Sequence, residues 1–259
     1  MTSDIHISLA AEKIFEFAGF PMTNSLLTTW VVMTALIIFS ILICRKLTLV
    51  PGFSQSVVEI IIDGFYQLFS SVIHEKINLF FPFLVSIFIF IVSLNWVGLL
   101  PGMGTIGIYK IAEGHREFVP LFRAGTADLN TTLALAVIAV LVIQYSGFKT
   151  LGAAYLGRFF NFRNPVYFFV GILELISDFA KVISFAFRLF GNIFAGEVLL
   201  TVIAFLMPLF APLPFLGLEL FVGFIQALVF SMLTAVFLSV AQERENIKKE
   251  EVKIWIQER

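Results

Sequence analysis

Five stretches of the chain are apolar almost without interruption: residues 26–44, 79–100, 129–147, 165–207 and 215–243. At 1.5 Å per residue the first three are each long enough to cross a hydrocarbon layer of about 30 Å. The breaks between runs carry turn chemistry, at Pro51-Gly52, Pro101-Gly102 and the cluster Pro208, Pro212 and Pro214. Residues 1–21 intersperse Ile5, Ile7, Leu9, Ile14, Phe15 and Phe17 among charges and read as an outer surface segment ended by Pro21. Residues 26–44 are the first span, with Asn24 and Ser25 as helix-start residues and Arg45-Lys46 straight after it. Residues 55–75 set Glu59, Asp63 and Gln67 into an apolar pattern, which predicts an interfacial amphipathic helix that does not cross. The spans at 79–100 and 129–147 are joined by a Gly-rich loop of mixed charge, and Asp128 or Thr131 signals the start of the second.

Residues 165–207, as one helix, would measure about 64 Å, roughly twice the apolar thickness. Such a helix must tilt steeply, bend, or run partly along the surface. Residues 215–243 are equally apolar and form its partner in a long helical hairpin, and residues 244–259 are a charged cytoplasmic tail. The pattern predicts an all-α polytopic membrane protein forming a single membrane domain over 1–259. It has about five membrane-embedded helices, an interfacial helix and a long tilted C-terminal helical hairpin.

Composition agrees: 59% of residues are hydrophobic, 14% are charged, and mean hydropathy is +0.97, too apolar for a soluble chain. A net charge of −1 and the lack of a basic tract interleaved with aromatics argue against a nucleic-acid partner. One cysteine, Cys44, permits no intrachain disulfide, and no His or Cys cluster has metal-ligand spacing. The first apolar run lacks a basic leader and is too long for a signal sequence, so it reads as a retained span. No cofactor and no nucleotide-binding loop are expected, so any ATP chemistry lies on another chain. Flanking Lys and Arg set the orientation. Arg45, Lys46, Lys76, Lys149, Arg158, Arg163 and five tail residues face Lys13, Lys110, Arg116 and Arg123 on the other side. The bias predicts an outside N-terminus and an inside C-terminus.

The chemistry sits in the fourth run, where Glu174, Asp178, Lys181, Arg188 and Glu197 interrupt an apolar background. Ionisable groups at such depth cost several kcal/mol unless partnered or hydrated, so the segment is a functional site by default. At ~100° per residue, Glu174, Asp178, Lys181, Arg188 and Asn192 fall within roughly 80° of one another, and Glu197 about 180° from Arg188. Arg188 is a permanent cation that would stabilise a nearby carboxylate and block a continuous proton wire. Glu174 and Asp178 lie about 21 and 15 Å from it along a straight helix, too far to pair with it. Asp178 and Lys181 are i, i+3 neighbours and can simply pair with each other. In the last run Glu219 and Gln226 share a face. Glu219 can relay a proton or sit hydrated near the outer turn, and Gln226 can equally be interhelical glue. Asp128 is a relay group or a helix cap.

At RLFGNIFAGE, from Arg188 to Glu197, the chain resembles the membrane subunit a of F-type ATP synthases. The likeness extends to FPMTNSLLTTW, NWVGLLPG from Asn95, TADLNTTLALA from Thr126, the Glu174/Lys181/Arg188 spacing and GFIQALVFSMLTAVFLS from Gly223. The resemblance implies two long helices lying tilted against a rotating ring of c subunits, with subunit b and the rest of the synthase as further partners. It implies an outer proton half-channel along Asn192, Glu197, Glu219 and Gln226, with Asn95 and Asp128 near its mouth. An inner half-channel would lie near Glu174, Asp178, Lys181 and Ser184, and Arg188 would face the ring carboxylate. A bacterial plasma membrane and proton rather than sodium coupling are the implied setting. Where many members of the family set a His against the Glu of the outer half-channel, this chain has two acids, Glu197 and Glu219, expected to act as a coupled pair. Two other classes compete with this reading. One is a proton-coupled secondary transporter binding an anionic substrate at Arg188, which too few spans and no repeat symmetry oppose. The other is a structural membrane scaffold.

Overall fold

The computed structural model describes residues 10–17, 19–45, 47–73, 76–100, 102–112, 115–152, 155, 165–207 and 210–257. Lys46, Pro101, Arg158, Arg163 and Pro208, to which the sequence pattern assigns flanking or turn roles, lie outside the described residues. Six helices follow one another among those residues: α1 (Asn24–Cys44), α2 (Phe53–Ser70), α3 (Ile77–Gly98), α4 (Leu129–Leu151), α5 (Pro165–Leu206) and α6 (Pro212–Gln257). All except α2 are long and apolar enough to cross a membrane. The protein is an all-α polytopic integral membrane protein.

Two small antiparallel hairpins sit where only surface segments and loops are legible in the sequence. β1 (Lys13–Phe17) pairs with β2 (Phe20–Thr23), so the described part of the N-terminal segment is extended. β3 (Gly107–Ala112) pairs with β4 (His115–Pro120) from Gly107↔Pro120 to Ala112↔His115. Both lie at the end of the bundle where α1 and α4 begin and α3 ends, called here the hairpin end.

The start of α1 differs from the expected one. Thr23 is the cap, its Oγ1 accepting from the Leu26 N–H at 3.3 Å. Asn24 and Ser25 fall inside the first turn and reach outward instead, Asn24 Nδ2 to the Pro120 carbonyl at 3.4 Å and Ser25 Oγ to Asp128 at 2.7 Å. Thr28 Oγ1 accepts from the Arg123 N–H at 3.2 Å. These polar residues and Val32 are the buried positions of α1, which is otherwise apolar on every side and largely exposed. α2 is shorter than the pattern predicts and lies against α3 through Phe65 on Phe88, rings 4.3 Å apart, and Tyr66 on Phe81 at 5.1 Å. α6 begins at Pro212 and continues as one helix through the expected boundary at 243 into the tail.

The core joins α3, α4, α5 and α6. Phe88, Ile91 and Val92 of α3, Ala136 and Ala139 of α4, Phe185, Ala186 and Leu189 of α5, and Ala227 and Phe230 of α6 form one buried cluster. The alanines are fully buried. Small side chains at crossing points let helix backbones approach closely, the main way helices gain packing in lipid. α5 and α6, 42 and 46 residues long, would reach about 63 and about 69 Å. They run antiparallel: Phe185 meets Phe230 with rings 5.0 Å apart, and Asn192 meets Gln226 at 2.5 Å.

Candidate functional site around Arg188

α5 buries Gly171, Asp178, Phe185, Ala186, Leu189, Phe190, Ile193 and Gly196 at near-helical spacing and leaves Phe179, Ile183 and Phe187 exposed on the other side. Arg188 stands exposed, next to Phe187 in sequence. Its Nη2 donates to Ser184 Oγ at 3.2 Å, one turn back. No carboxylate among the described residues lies within ion-pair distance of it. The other charged side chains of α5 are differently placed.

Ten residues before Arg188, Asp178 is buried and pairs with Lys181 Nζ at 2.7 Å. Gln144 Nε2 of α4 donates to its second oxygen at 2.7 Å, and the Tyr155 hydroxyl donates to Gln144 Oε1. Lys181 Nζ also sits 4.8 Å from the centre of the Phe237 ring of α6. The pairing reading of Asp178 and Lys181 is therefore the one the geometry gives. A pocket of about 560 Å³ opens beside this cluster between α4 and α5, lined by Val140, Gln144, Tyr155, Asp178 and Val182 among others. Glu174 is half-buried one turn earlier.

The second cluster lies nine residues past Arg188, at the hairpin end. Glu197 receives Arg123 Nε on both oxygens at 3.0 Å. Glu219 of α6 is 7% exposed, and its carboxyl lies across Gly196, where a Cβ would stand 2.0 Å from it. Its Oε1 has no hydrogen-bond partner among the described residues, nor does the buried Nε2 of Gln226, whose Oε1 accepts from Asn192. Buried polar atoms are seldom left without a partner, so these two stand out within the cluster. Asn95 of α3 closes the cluster. It donates to the Gly223 carbonyl at 2.8 Å and accepts from Thr126 at 2.6 Å. Gly223 admits it because a Cβ there would sit 3.1 Å from Asn95 Cβ. Asp128 stands apart from these residues in its bonding. It caps α4 through the Asn130 N–H at 2.9 Å while its other oxygen accepts from Ser25.

The structure thus groups Asp178 and Lys181 on one side of Arg188, and Asn192, Gln226, Glu197, Glu219 and Asn95 toward the other. Arg123, Gln144, Tyr155 and Thr126 escape the sequence reading. Gln144 carried a usable signal, a lone amide inside an apolar run. Arg123 carried none, since its partner is 74 residues away and it reads as a loop charge.

The family described as "ATP synthase A chain" matches residues 26–239. ATP synthase subunit a of Moorella thermoacetica (strain ATCC 39073 / JCM 9320) is 31% identical over 228 residues, covering 88% of this chain and 94% of that protein.

Proposed function

Because this chain belongs to the ATP synthase A chain family, we propose that it is the stationary proton-translocating subunit that faces the rotating c-ring of an F-type ATP synthase. Protons enter from outside at the hairpin end, along Asn95, Glu219, Glu197, Gln226 and Asn192 with Asp128 nearby, and neutralise a ring carboxylate. After the ring has turned, that carboxylate releases its proton beside Glu174, Asp178, Lys181 and Ser184 at the inner end. Arg188 meets the emptied carboxylate between the two, and as a cation that keeps its proton it prevents a direct leak. Each proton crossing the field contributes about 2.3 kcal/mol per 100 mV, so several must pass for each ATP made. Subunit b and the remaining stator hold the chain still while α5 and α6 lie tilted against the ring. The N-terminus faces outside and the C-terminus the cytoplasm of a bacterial cell.

One observation carries this reading. Arg188 is an exposed cation on an apolar helix, bonded among the described residues only to a hydroxyl, between two polar clusters on the same helix. A cation at membrane depth without a partner is costly, and a carboxylate on a neighbouring subunit would meet it. Arg188→Ala in the assembled synthase is expected to abolish proton-driven ATP synthesis while the chain still co-purifies with its membrane neighbours. Synthesis that persists in that variant would reject the role.

A further inference from the structure

Two acids stand one residue apart along the surface of α5, and their surroundings differ. Glu197 belongs to α5, and the Glu219 carboxyl lies on the adjacent Gly196. Arg123 engages both oxygens of Glu197, and its side chain is only 8% exposed. The same guanidinium donates through Nη1 to the Ala10 carbonyl at 3.3 Å and lies 5.8 Å from the centre of the Phe194 ring. Its own backbone is tied to Thr28. One residue therefore joins the N-terminal segment, α1 and α5. Glu219 has no such clamp, since one of its oxygens is buried without a partner among the described residues.

Building on the proton path proposed above, we infer that Arg123 is a positioning residue that fixes Glu197 as a stationary counter-ion and leaves Glu219 as the group that takes up and hands on the proton. Arginine suits the task. Its charge is permanent and its planar fork holds a carboxylate in one orientation. A carboxylate held so has its charge already met and its geometry set, whereas proton transfer needs a group that can gain and lose a partner. Among the described residues, the charged groups facing Glu197 are Arg123 and Glu12 of the N-terminal segment, and the Glu219 carboxyl lies on the adjacent Gly196. The two acids thus divide the work instead of sharing it, which differs from the coupled pair expected from sequence.

The test uses the whole synthase in inverted membrane vesicles, with ATP synthesis driven by an acidified lumen and expressed per assembled complex. Arg123→Lys, which keeps the cation, is expected to stay within about threefold of the parent, and Arg123→Gln to fall about tenfold. Adding Glu197→Gln to Arg123→Gln should recover most of the lost rate, because removing both charges strands neither. Glu219→Gln should lose nearly all synthesis. The lumenal proton concentration giving half-maximal rate should move in Arg123→Gln, a change that a purely structural role would not produce. A double variant as inactive as Glu219→Gln would mean that Glu197 itself carries the proton, and would overturn the inference. So would an Arg123→Gln complex of normal rate and normal proton dependence. If Arg123→Gln does not assemble, the double variant decides: recovery in active complexes supports the pairing, and absence from them overturns it. Failure of the rotary reading itself shows separately, as persistent synthesis in Arg188→Ala.

Discussion

A single hydrogen at position 196 decides where the Glu219 carboxyl can lie. A Cβ there would stand 2.0 Å from its carboxyl atoms. The obstacle is the far end of a flexible side chain, so Gly196→Ala should leave the helix pair packed and displace only the carboxyl. The expected result is normal assembly with ATP-driven proton pumping reduced by up to about a hundredfold, the cost of misplacing a reacting group by an ångström. Gly217→Ala, where a Cβ would meet nothing within 4 Å, is the matched control and should pump at the parent rate. At this scale the sequence is legible where a charge interrupts an apolar run. Arg188, Glu197 and Glu219 stand out for that reason, since burying each is unfavourable in isolation. Arg123 does not, because a loop arginine is ordinary until its distant partner is known. Nor does the bare surface of Gly196, which has no side chain to notice.

Between elements, close approach governs the arrangement. The segment after β4 crosses α3 at Gly98, where a Cβ would lie 2.4 Å from Ala124 Cβ and 2.9 Å from its Cα. Backbone cannot yield as a side-chain tip can. Gly98→Ala is therefore expected to push this segment off α3 and to lower stability by about 1–3 kcal/mol, measured as an earlier unfolding midpoint in detergent. The five long apolar runs announce their helices because length and hydropathy alone identify them. The hairpins are not announced: strands of four to six residues among turn residues leave a weak pattern. Helical phase also misleads about α5. Glu174, Asp178, Lys181, Arg188 and Asn192 fall near one stripe by angle, yet Asp178 is buried against Gln144 of α4 while Arg188 is exposed. A stripe predicts a shared direction. What stands in that direction changes along 42 residues of helix.

For the molecule as a whole, the proposed orientation can be read from its one cysteine. Cys44 is exposed at the last residue of α1, away from the hairpin end. A membrane-impermeant maleimide should label it in inverted vesicles and spare it in right-side-out cells; the opposite pattern would reverse the topology. The bundle is unevenly knit. α3 to α6 share a buried core, while α1 is held at its first turns by the Pro120 carbonyl, the Asp128 carboxylate and the Arg123 N–H. Those moorings lie 95 to 103 residues further along the chain. During synthesis the first helix must enter lipid long before these three anchors have left the ribosome. Being greasy on every side, it can wait there alone, and its final seating becomes a late event in maturation, timed by the emergence of a loop.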